Sequence, residues 1–235
     1  MKFEHTKVMN FEGAFRSMRN PLSSWDRSDS ASGIELDYPE TVDLRSPAGI
    51  SGFREVFKIG PKDMELAQKL VAGGSPHRKF LRQILVSVDI TAPEYFWNQW
   101  DTYKVGTVAN STSKMHKLSS TPVTVECFET DDYDDEIADR GFVENVLAYL
   151  EYLRNAYNKT GDKRYWKELI RWLPEGWLQT RTVTLNYEVI RSMCYWREGH
   201  KLSEWKALID WAHTLPYAEE LIFYRGKETD CGEDA

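Results

Sequence analysis

A dense group of polar side chains occupies the middle of the sequence. Hydroxyl, amide and ammonium groups together are what a phosphorylated ligand requires, because the donors fix its geometry and lysine supplies charge. The same residue types also occur where a capped helix end is followed by a solvated Ser/Thr loop, and residue types alone leave both interpretations open. The group consists of Gln99, Trp100, Asp101, Thr102, Tyr103 and Lys104, followed by Thr107, Val108, Ala109, Asn110, Ser111, Thr112, Ser113, Lys114, Met115, His116 and Lys117.

The common catalytic and metal-binding motifs are absent from the sequence. It has no G-x-S-x-G, H-E-x-x-H, Walker or G-x-G-x-x-G pattern, and its five histidines have no metal-ligand spacing. Cys127, Cys194 and Cys231 lie far apart, which disfavours both a disulfide framework and a zinc knuckle. Cys127 has no neighbouring activator, so we interpret it as a structural thiol. We therefore predict no metal site and a reduced, cytoplasmic protein.

Acidic charge is concentrated in one segment, 126–136, which holds seven acidic residues and no basic one. Because the formal net charge is −7, the rest of the chain is neutral overall. This balance disfavours a nucleic-acid partner but allows a local basic pocket for one phosphate. The segment lacks the spacing of an EF-hand loop, so a solvated loop is favoured over a metal site. No apolar stretch is long enough for a membrane span, and we predict no membrane association and no signal peptide.

Hydrophobic periodicity predicts the elements that would position the polar group. Residues 84–90 alternate apolar and polar side chains, which predicts a strand with one buried face. Pro93 is placed to begin a helix that continues to Trp100. Helical spacing predicts further helices at 11–18, 64–71, 143–157, 164–172 and 185–196, and one that begins near Ser203. The predicted fold class is α/β or α+β, with a helix-rich C-terminal half.

Turn-forming residues dominate the start of the chain. Asn, Pro, Ser and Gly cluster over 20–33, and further breaks come at Pro39, Pro47 and Gly49. Apart from the helix at 11–18, residues 1–60 are therefore predicted to be irregular, and a loop of this length is usually functional or flexible. The tail 226–235 is acidic and predicted to fray. We predict one domain over residues 1–235.

The polar group and its surroundings resemble the flavin-dependent thymidylate synthases, the ThyX-like family. Members carry Arg-His-Arg, then seven residues, then Ser, on a helix that follows a strand and an Ala-Pro turn. Here Thr91-Ala92-Pro93 precedes Gln99-Trp100. Thr102-Tyr103-Lys104 stands in the place of Arg-His-Arg, and Thr112 in that of the serine.

The resemblance continues on both sides of this motif. Residues 77–83 occupy the place of the family's His-x-x-Pro-Phe-Glu-His and keep its first histidine. Downstream, Leu173-Pro174 precedes Asn186 and Arg197 at the family's spacing. The similar region covers about residues 61–215, with a weaker match at 14–24. It implies a ThyX-like fold, in which a mixed sheet is flanked by helices.

The resemblance also implies an activity. The family forms homotetramers that bind FAD and dUMP where subunits meet. It converts dUMP to dTMP with methylenetetrahydrofolate as carbon donor and NADPH, through reduced FAD, as hydride source. No protein nucleophile is required; an arginine polarises the uracil ring as charge develops on it. A close variant would transfer a hydroxymethyl group or use another pyrimidine nucleotide.

Site residues follow from the same alignment. Arg197 would polarise the pyrimidine, and Gln99 and Thr102 would lie against the nucleotide. Phosphate and sugar would be held by Asn110, Ser111, Thr112, Ser113 and Lys114. The flavin would contact Thr102, Tyr103, Lys104, Asn110, Asn186 and Ser192.

A second function of a different class also fits the sequence. A non-catalytic descendant would keep the fold and bind only a nucleotide or a protein partner. The loss of Arg-His-Arg favours this reading, since a lysine ammonium lacks the planar fork with which arginine binds phosphate. The retention of Arg197, Asn186, Lys114 and the hydroxyl cluster favours the enzyme.

Overall fold

The structure is a computed structural model, which describes residues 1–37, 52–131, 133–134 and 136–226. Backbone contacts group these residues into two compact units. The sheet unit consists of Met1–Lys7, Val86–Leu185 and Arg197–Trp211; the second unit consists of Val8–Leu85, Asn186–Trp196 and the segment that begins at Ala212. One domain over 1–235 stays a prediction. Residues 38–51 of the N-terminal loop and 227–235 of the acidic tail lie outside the described residues.

Helices account for more of the described chain than strands do, as predicted. The strands are β1 Lys2–Met9, β2 Ala31–Asp37, β3 Gly52–Lys58, β4 Leu85–Pro93, β5 Val108–Ser111 and β6 Leu178–Asn186. The helices are α1 Phe11–Met18, α2 Pro61–Ala72, α3 Glu94–Trp100, α4 Lys114–Lys117, α5 Arg140–Thr160, α6 Lys163–Trp172, α7 Tyr187–Arg197 and α8 Ser203–His213. They form a mixed α/β fold in which helices flank a sheet. Within the described ranges, no helix combines the length and apolar character that crossing a membrane requires.

A four-stranded sheet in the order β1-β4-β6-β5 is the central element of the sheet unit. Val86, Val88 and Ile90 of β4 are buried, while the residues between them are half-buried. This confirms the alternation predicted for the strand. Strand β5 pairs antiparallel with β6 and forms an edge of the sheet. The polar group of the sequence therefore runs from a helix end onto a sheet edge.

Helix α3 is held by a cluster of buried aromatic side chains. Phe96, Trp97 and Trp100 are buried on it, and the Phe96 ring lies 4.8 Å from the Trp205 ring of α8 between centroids. Trp97 Nε1 donates to the carbonyl oxygens of Ala92, at 3.1 Å, and Gln179, at 3.0 Å. Buried aromatic pairs add about 0.5–1.5 kcal/mol each beyond the area they bury. The C-terminal end of α3 is therefore fixed relative to β4, β6 and α8.

A second apolar cluster lies where α5 and α6 pack together. Asp139 caps α5 by accepting a hydrogen bond from the Phe142 backbone N–H at 3.0 Å, and Gly161, at φ 68°, ends the helix. Both helices were predicted from their periodicity, and the structure confirms them. The buried members of the cluster are Leu118, Val123, Leu150, Leu153, Leu169 and Trp177.

An ion pair beside this cluster makes the unfolding of the protein pH-dependent. Glu151 accepts hydrogen bonds from Arg154 Nε at 2.7 Å and from the Val123 N–H at 2.9 Å. The Arg154 bonds outweigh burial and lower the pKa of Glu151 from 4.5 to about 2. Because the folded-state pKa is depressed, the stabilisation is fully present above pH 4.5 and is lost as the pH falls toward 2.

We expect Glu151→Gln to lower the free energy of unfolding at pH 7 by about 1–2 kcal/mol, the discounted value of a partly exposed charged hydrogen bond. The difference from wild type should shrink as the pH is lowered from about 4.5 toward 2, because the wild-type carboxylate is then protonated as well. Urea unfolding followed by fluorescence at pH 7 and at lower pH measures both effects. A difference that does not change with pH would contradict the prediction.

The second unit is built from the N-terminal helices and a two-stranded sheet. Helix α1 buries Ala14, Phe15 and Met18, as its spacing predicted. At the start of α2, Asp29 accepts hydrogen bonds from the backbone N–H groups of Lys62, at 2.9 Å, and Asp63, at 3.0 Å. These contacts satisfy two backbone donors that a helix start leaves unpaired.

Residues 1–60 are not irregular, so that prediction is wrong for the described part of this segment. It contains β1, α1, β2 and β3, and β2 pairs antiparallel with β3 from Ala31↔Lys58 to Asp37↔Gly52. Turn-forming residues do produce short 3₁₀ helices at Asn20–Leu22 and Trp25–Arg27. Pairing between distant strands depends on the partner strand, which local composition does not reveal.

The helix predicted at 185–196 is correct except at its start. Leu185 and Asn186 are the last two residues of β6, and α7 begins at Tyr187. Hydrophobic periodicity did not predict β6. Only three of its residues, Gln179, Val183 and Leu185, follow the alternation of buried and more exposed side chains that identifies a strand. The correction moves Asn186 from inside a helix to the strand–helix junction.

Candidate functional site

Four side chains from two distant segments of the sequence meet at the end of α3. We call them the Arg197 cluster: Gln99, Tyr103, Arg197 and Trp205. Arg197 Nε donates to the Tyr103 hydroxyl at 3.1 Å, and the Arg197 guanidinium carbon lies 4.6 Å from the centre of the Trp205 ring. Trp205 Nε1 donates to Gln99 Oε1 at 2.9 Å. Three predicted site residues are thus brought together, and all four belong to the sheet unit.

Local sequence explains how the chain reaches this geometry. After α3 ends at Trp100, the Tyr103 N–H donates to the Trp100 carbonyl at 2.9 Å, and Thr102 Oγ1 donates to the Gln99 carbonyl at 2.8 Å. This tight turn places the Tyr103 ring beside α8, where it lies 6.0 Å from the Trp205 ring between centroids. Thr102 therefore caps its own helix end.

On the other side of the cluster, a short turn joins Arg197 to Trp205. Gly199 adopts φ 70° directly after α7, a conformation that side-chain-bearing residues rarely adopt. His200 Nδ1 then accepts a hydrogen bond from the Leu202 N–H at 3.1 Å, just before α8 begins. The turn brings the last residue of α7 back over the first turn of α8.

Arg197 gives the cluster a positive charge that no described carboxylate neutralises by an ion pair. Only the Nε of Arg197 is hydrogen-bonded to a described residue, so its two terminal nitrogens have no acceptor in that part of the chain. The side chain is half-buried between two aromatic rings, at 4.6 Å and 5.7 Å from the ring centres. Burial makes an anion or a carbonyl oxygen a stronger partner here than in water. The remaining donors can therefore bind such a ligand.

Exposed polar residues continue from the cluster to the sheet edge. The Lys104 side chain is exposed, and its ammonium group forms no hydrogen bond or ion pair with any residue that the structure describes. On β5, Asn110 lies opposite Thr182 and Ser111 opposite Arg181. The side chains of Asn110 and Ser111 are exposed and also have no partner within the described ranges. These donors are available to a ligand.

Lys114 lies at the other end of α3 from Arg197. Its Nζ pairs with Glu94 Oε1 at 2.9 Å, in the first turn of α3. Glu94 and Gln99 are five residues apart on the helix, or roughly 7–8 Å along its axis. Ser113 caps the short helix α4, and the Thr112 N–H donates to the Thr180 carbonyl at 2.9 Å. Lys114 therefore forms its ion pair at the opposite end of α3 from the contact between Gln99 and Trp205.

Asn186 and Ser192 belong to the second unit. Asn186 is buried, and its Oδ1 accepts a hydrogen bond from the Val189 N–H at 3.1 Å, so that it caps α7. Ser192 is half-buried in the middle of α7. The structure gives Asn186 a helix-capping role, which leaves its proposed flavin contact untested.

The two described cysteines make contacts typical of structural thiols. Burial raises the pKa of Cys194 to about 12, so that its thiol stays protonated, and Cys127 Sγ donates to the Pro122 carbonyl at 3.5 Å. Within the described residues, no three His, Cys, Asp or Glu side chains are grouped so that they could hold a metal ion. Residues 132 and 135 of the acidic segment lie outside that set.

Neither Trp205 nor Arg181 was identified from the sequence as a principal site residue. Helical spacing made Trp205 look like an apolar helix residue. The partner of its Nε1 atom lies 106 positions away in the sequence, so local spacing does not reveal the contact. Arg181 stacks 4.3 Å above the Trp97 ring and pairs with Asp101 at 2.9 Å, so its charge is compensated within the chain. No pattern in the sequence distinguishes Trp205 from the other apolar residues of its helix.

Comparison with solved structures identifies the fold. The flavin-dependent thymidylate synthase ThyX from Helicobacter pylori, complexed with FAD and dUMP, matches with a TM-score of 0.64 over 95% of this chain and 98% of that chain. The fold is ThyX-like. A second structure of Helicobacter pylori ThyX with FAD and dUMP matches with a TM-score of 0.61 over 92% and 94% of the two chains.

The likeness to ThyX is confined to the fold. Sequence identity to the two structures is 14% and 15%. The sequence matches no protein-family model and no curated protein. The fold predicted from the polar group and its flanking motifs is confirmed, whereas ligand and reaction depend on the site itself.

Proposed function

We propose that the protein carries out flavin-dependent C5 methylation of a pyrimidine nucleotide, converting dUMP to dTMP. Methylenetetrahydrofolate would donate the carbon, and NADPH would supply hydride through FAD. The observation that carries this proposal is the Arg197 guanidinium, which is held between Tyr103 and Trp205 with its terminal N–H groups unpaired within the described chain. A ThyX-like fold supports the assignment of this cluster to nucleotide chemistry.

In this proposal, Arg197 acts on the reacting base. Carbon–carbon bond formation at C5 of uracil requires negative charge to develop on the ring and its carbonyl oxygens. A guanidinium already fixed by two aromatic rings stabilises that charge without rearranging during the reaction. Gln99 and Thr102 would lie against the same nucleotide. No protein nucleophile is needed, which agrees with the buried, protonated thiol of Cys194.

The nucleotide phosphate is assigned to the sheet-edge residues. Asn110, Ser111, Thr112 and Ser113 supply hydroxyl and amide donors, and Lys114 supplies charge. Because Lys114 is paired with Glu94 at 2.9 Å, it would share its charge between that carboxylate and the phosphate. The hydroxyl and amide donors therefore carry more of the proposed binding than the lysine does.

The available donors also fit FAD, whose phosphates need cations and hydrogen-bond donors. Lys104 and Asn110 have exposed side chains without a partner in the described chain. Together with Thr102 and Tyr103 of the same unit, they are proposed to hold the cofactor. The flavin contacts of Asn186 and Ser192 stay predictions from the sequence. Bound FAD would supply hydride transfer. The contribution of this chain is binding and orientation, since Tyr103 presents a ring and a hydroxyl where the family has histidine.

We further propose that the protein is a homotetramer with sites at subunit interfaces. Exposed apolar side chains flank the proposed ligand residues: Val105 and Val108 are 72% and 71% exposed, and Met115 is 63% exposed. Such residues beside polar ones are typical of association surfaces. Association would also let Lys114 of one copy approach Arg197 of another, since within one chain Lys114 pairs with Glu94 in the first turn of α3. A cytoplasmic location stays a prediction.

A non-catalytic nucleotide-binding protein is the second candidate. It is favoured by one observation, that Thr102, which replaces the first arginine of the family motif, donates to the Gln99 carbonyl and so caps its own helix. In this case the protein would bind dUMP through the Arg197 cluster and would not bind flavin.

Flavin binding separates the two functions. Purified protein should be yellow, or should bind FAD at micromolar concentration, and the flavin absorbance should change when dUMP is added. Chromatography should then detect dTMP when methylenetetrahydrofolate and NADPH are present. Binding of dUMP without FAD would establish the second function in place of the first. Binding of neither ligand would contradict both.

A further inference from the structure

Trp205 holds two proposed ligand-binding groups through two different parts of one indole. Its side chain is fully buried. The pyrrole N–H donates to Gln99 Oε1 at 2.9 Å, while the ring face carries the Arg197 guanidinium at 4.6 Å. A change at this one residue would therefore alter both Gln99 and Arg197.

The indole N–H determines which end of the Gln99 amide remains available. An indole nitrogen only donates hydrogen bonds, so it must face the amide oxygen of Gln99, and this fixes the orientation of the amide. The Gln99 NH₂ group has no acceptor among the described residues. Gln99 can therefore offer a ligand both N–H donors of its amide, while its oxygen is already engaged by the indole.

The neighbouring groups have the same hydrogen-bonding character. The Tyr103 oxygen already accepts from Arg197 Nε at 3.1 Å, which leaves its own O–H as a donor. Arg197 has only donors. His200 Nδ1 accepts from the Leu202 N–H at 3.1 Å, so the neutral ring carries its proton on Nε2. Every group that the cluster presents is therefore a donor.

We propose that Trp205 is a positioning residue. By fixing the Gln99 amide, it leaves N–H and O–H donors as the free hydrogen-bonding groups of the Arg197 cluster, so that the cluster binds a part of the ligand that carries oxygen acceptors. On a pyrimidine nucleotide, these acceptors are the uracil carbonyl groups or the phosphate. A cytosine amino group at the same place would meet a donor and leave buried N–H groups unpaired, which costs binding free energy. The inference rests on the proposed nucleotide function and adds the hydrogen bond that would determine which ligand the site prefers.

Trp205→Phe tests this step while it keeps an aromatic ring at this buried position. Phenylalanine keeps an aromatic face for Arg197 but removes the N–H, so the Gln99 amide becomes free to rotate. We expect the affinity for dUMP to fall about ten-fold, the scale of one buried hydrogen bond. Gln99→Ala should lose a similar factor, and the double variant should lose no more than the larger single loss, because both changes remove the same interaction.

Trp211→Phe is the matched control. Trp211 lies on the same helix, is nearly buried, and its Nε1 donates to Thr6 Oγ1 at 3.1 Å, away from the cluster. This variant loses an indole N–H of the same kind and should bind dUMP as wild type does. Thermal melting of all variants shows whether each is folded. An equal loss in Trp205→Phe and Trp211→Phe would reduce the role of Trp205 to general packing and contradict the proposal.

Titration with dUMP, dCMP and deoxyuridine locates the acceptors. If the cluster faces the base, Trp205→Phe should lower the preference for dUMP over dCMP. If the variant weakens both nucleotides equally and leaves deoxyuridine binding unchanged, the cluster faces the phosphate, which would contradict the assignment of Arg197 to the base. Unchanged dUMP affinity in folded Trp205→Phe would overturn the inference while the proposed function stands. A wild-type protein that binds none of the three would overturn the proposed function and, with it, this inference.

Discussion

Replacement of Arg197 by alanine is expected to lower dTMP formation by about 10²–10³-fold, the effect of removing one electrostatic stabiliser of developing charge. The side chain is held at 3.1 Å by the Tyr103 hydroxyl and lies over Trp205, and its terminal nitrogens have no other acceptor in the described chain. Single-turnover assays with saturating dUMP measure the chemical step separately from binding.

Two variants give this result its meaning. Arg197→Lys keeps the positive charge but loses the planar fork, so its activity should lie between wild type and Arg197→Ala. Arg164→Ala removes an arginine that is 90% exposed and pairs with Asp162 at 2.6 Å on α6, and it should leave turnover unchanged. Thermal unfolding should show that Arg197→Ala is folded, because the lost cation–π contacts contribute about 0.5–2 kcal/mol. Turnover at the wild-type rate in Arg197→Ala would contradict its assigned role.

Helix α3 connects the stability of the sheet unit to the proposed chemistry. Its buried aromatic residues fix it against β4, β6 and α8, and two of its polar contacts lie at opposite ends. Glu94 holds Lys114 at one end, and Gln99 contacts Trp205 at the other. The rigid core therefore determines where both groups of ligand-binding side chains point. A site that depends on the positions of donors needs such a support.

The sequence predicted those parts of the fold that short-range patterns determine. Alternation over 84–90 and Pro93 before an aromatic stretch were sufficient for β4 and α3, because burial of one face imposes a period on each element. The second unit was harder to predict. Strands β2 and β3 contain turn-forming residues at their margins, and they form strands because they pair with each other over the register Ala31↔Lys58 to Asp37↔Gly52.

The candidate site was also predicted only in part. Alignment of motifs selected Gln99, Tyr103 and Arg197, which the fold brings together. It did not reveal that Asn186 caps α7 or that Glu94 neutralises Lys114, since both contacts depend on side-chain geometry. Trp205 was missed because one apolar residue on a helix face looks like any other core residue. Its function depends on the direction of an N–H group, which no spacing in the sequence encodes.

Replacement of Asp63 by asparagine is expected to lower the free energy of unfolding by about 3–5 kcal/mol, the cost of leaving one partner of a buried ion pair uncompensated. The Asp63 side chain is fully buried, and that of Arg19 is 6% exposed. Arg19 Nε donates to Asp63 Oδ1 at 2.6 Å, and Ser28 Oγ and Ser30 Oγ donate to Oδ2 at 2.6 Å and 2.5 Å. Asparagine keeps the shape but removes the charge that Arg19 needs.

The same ion pair predicts a dependence on pH. Burial alone would raise the pKa of the Asp63 carboxyl, but the hydrogen bonds from Ser28, Ser30 and Arg19 outweigh it and lower the pKa below its ordinary value of 3.8. Its stabilisation is therefore fully present above that pH and is lost only as the pH falls through the depressed value. Urea unfolding at pH 7 compares Asp63→Asn with Asp162→Asn, whose partner Arg164 is exposed, so that its replacement should destabilise the protein much less. Equal unfolding midpoints for these two variants would show that the buried pair does not stabilise the second unit.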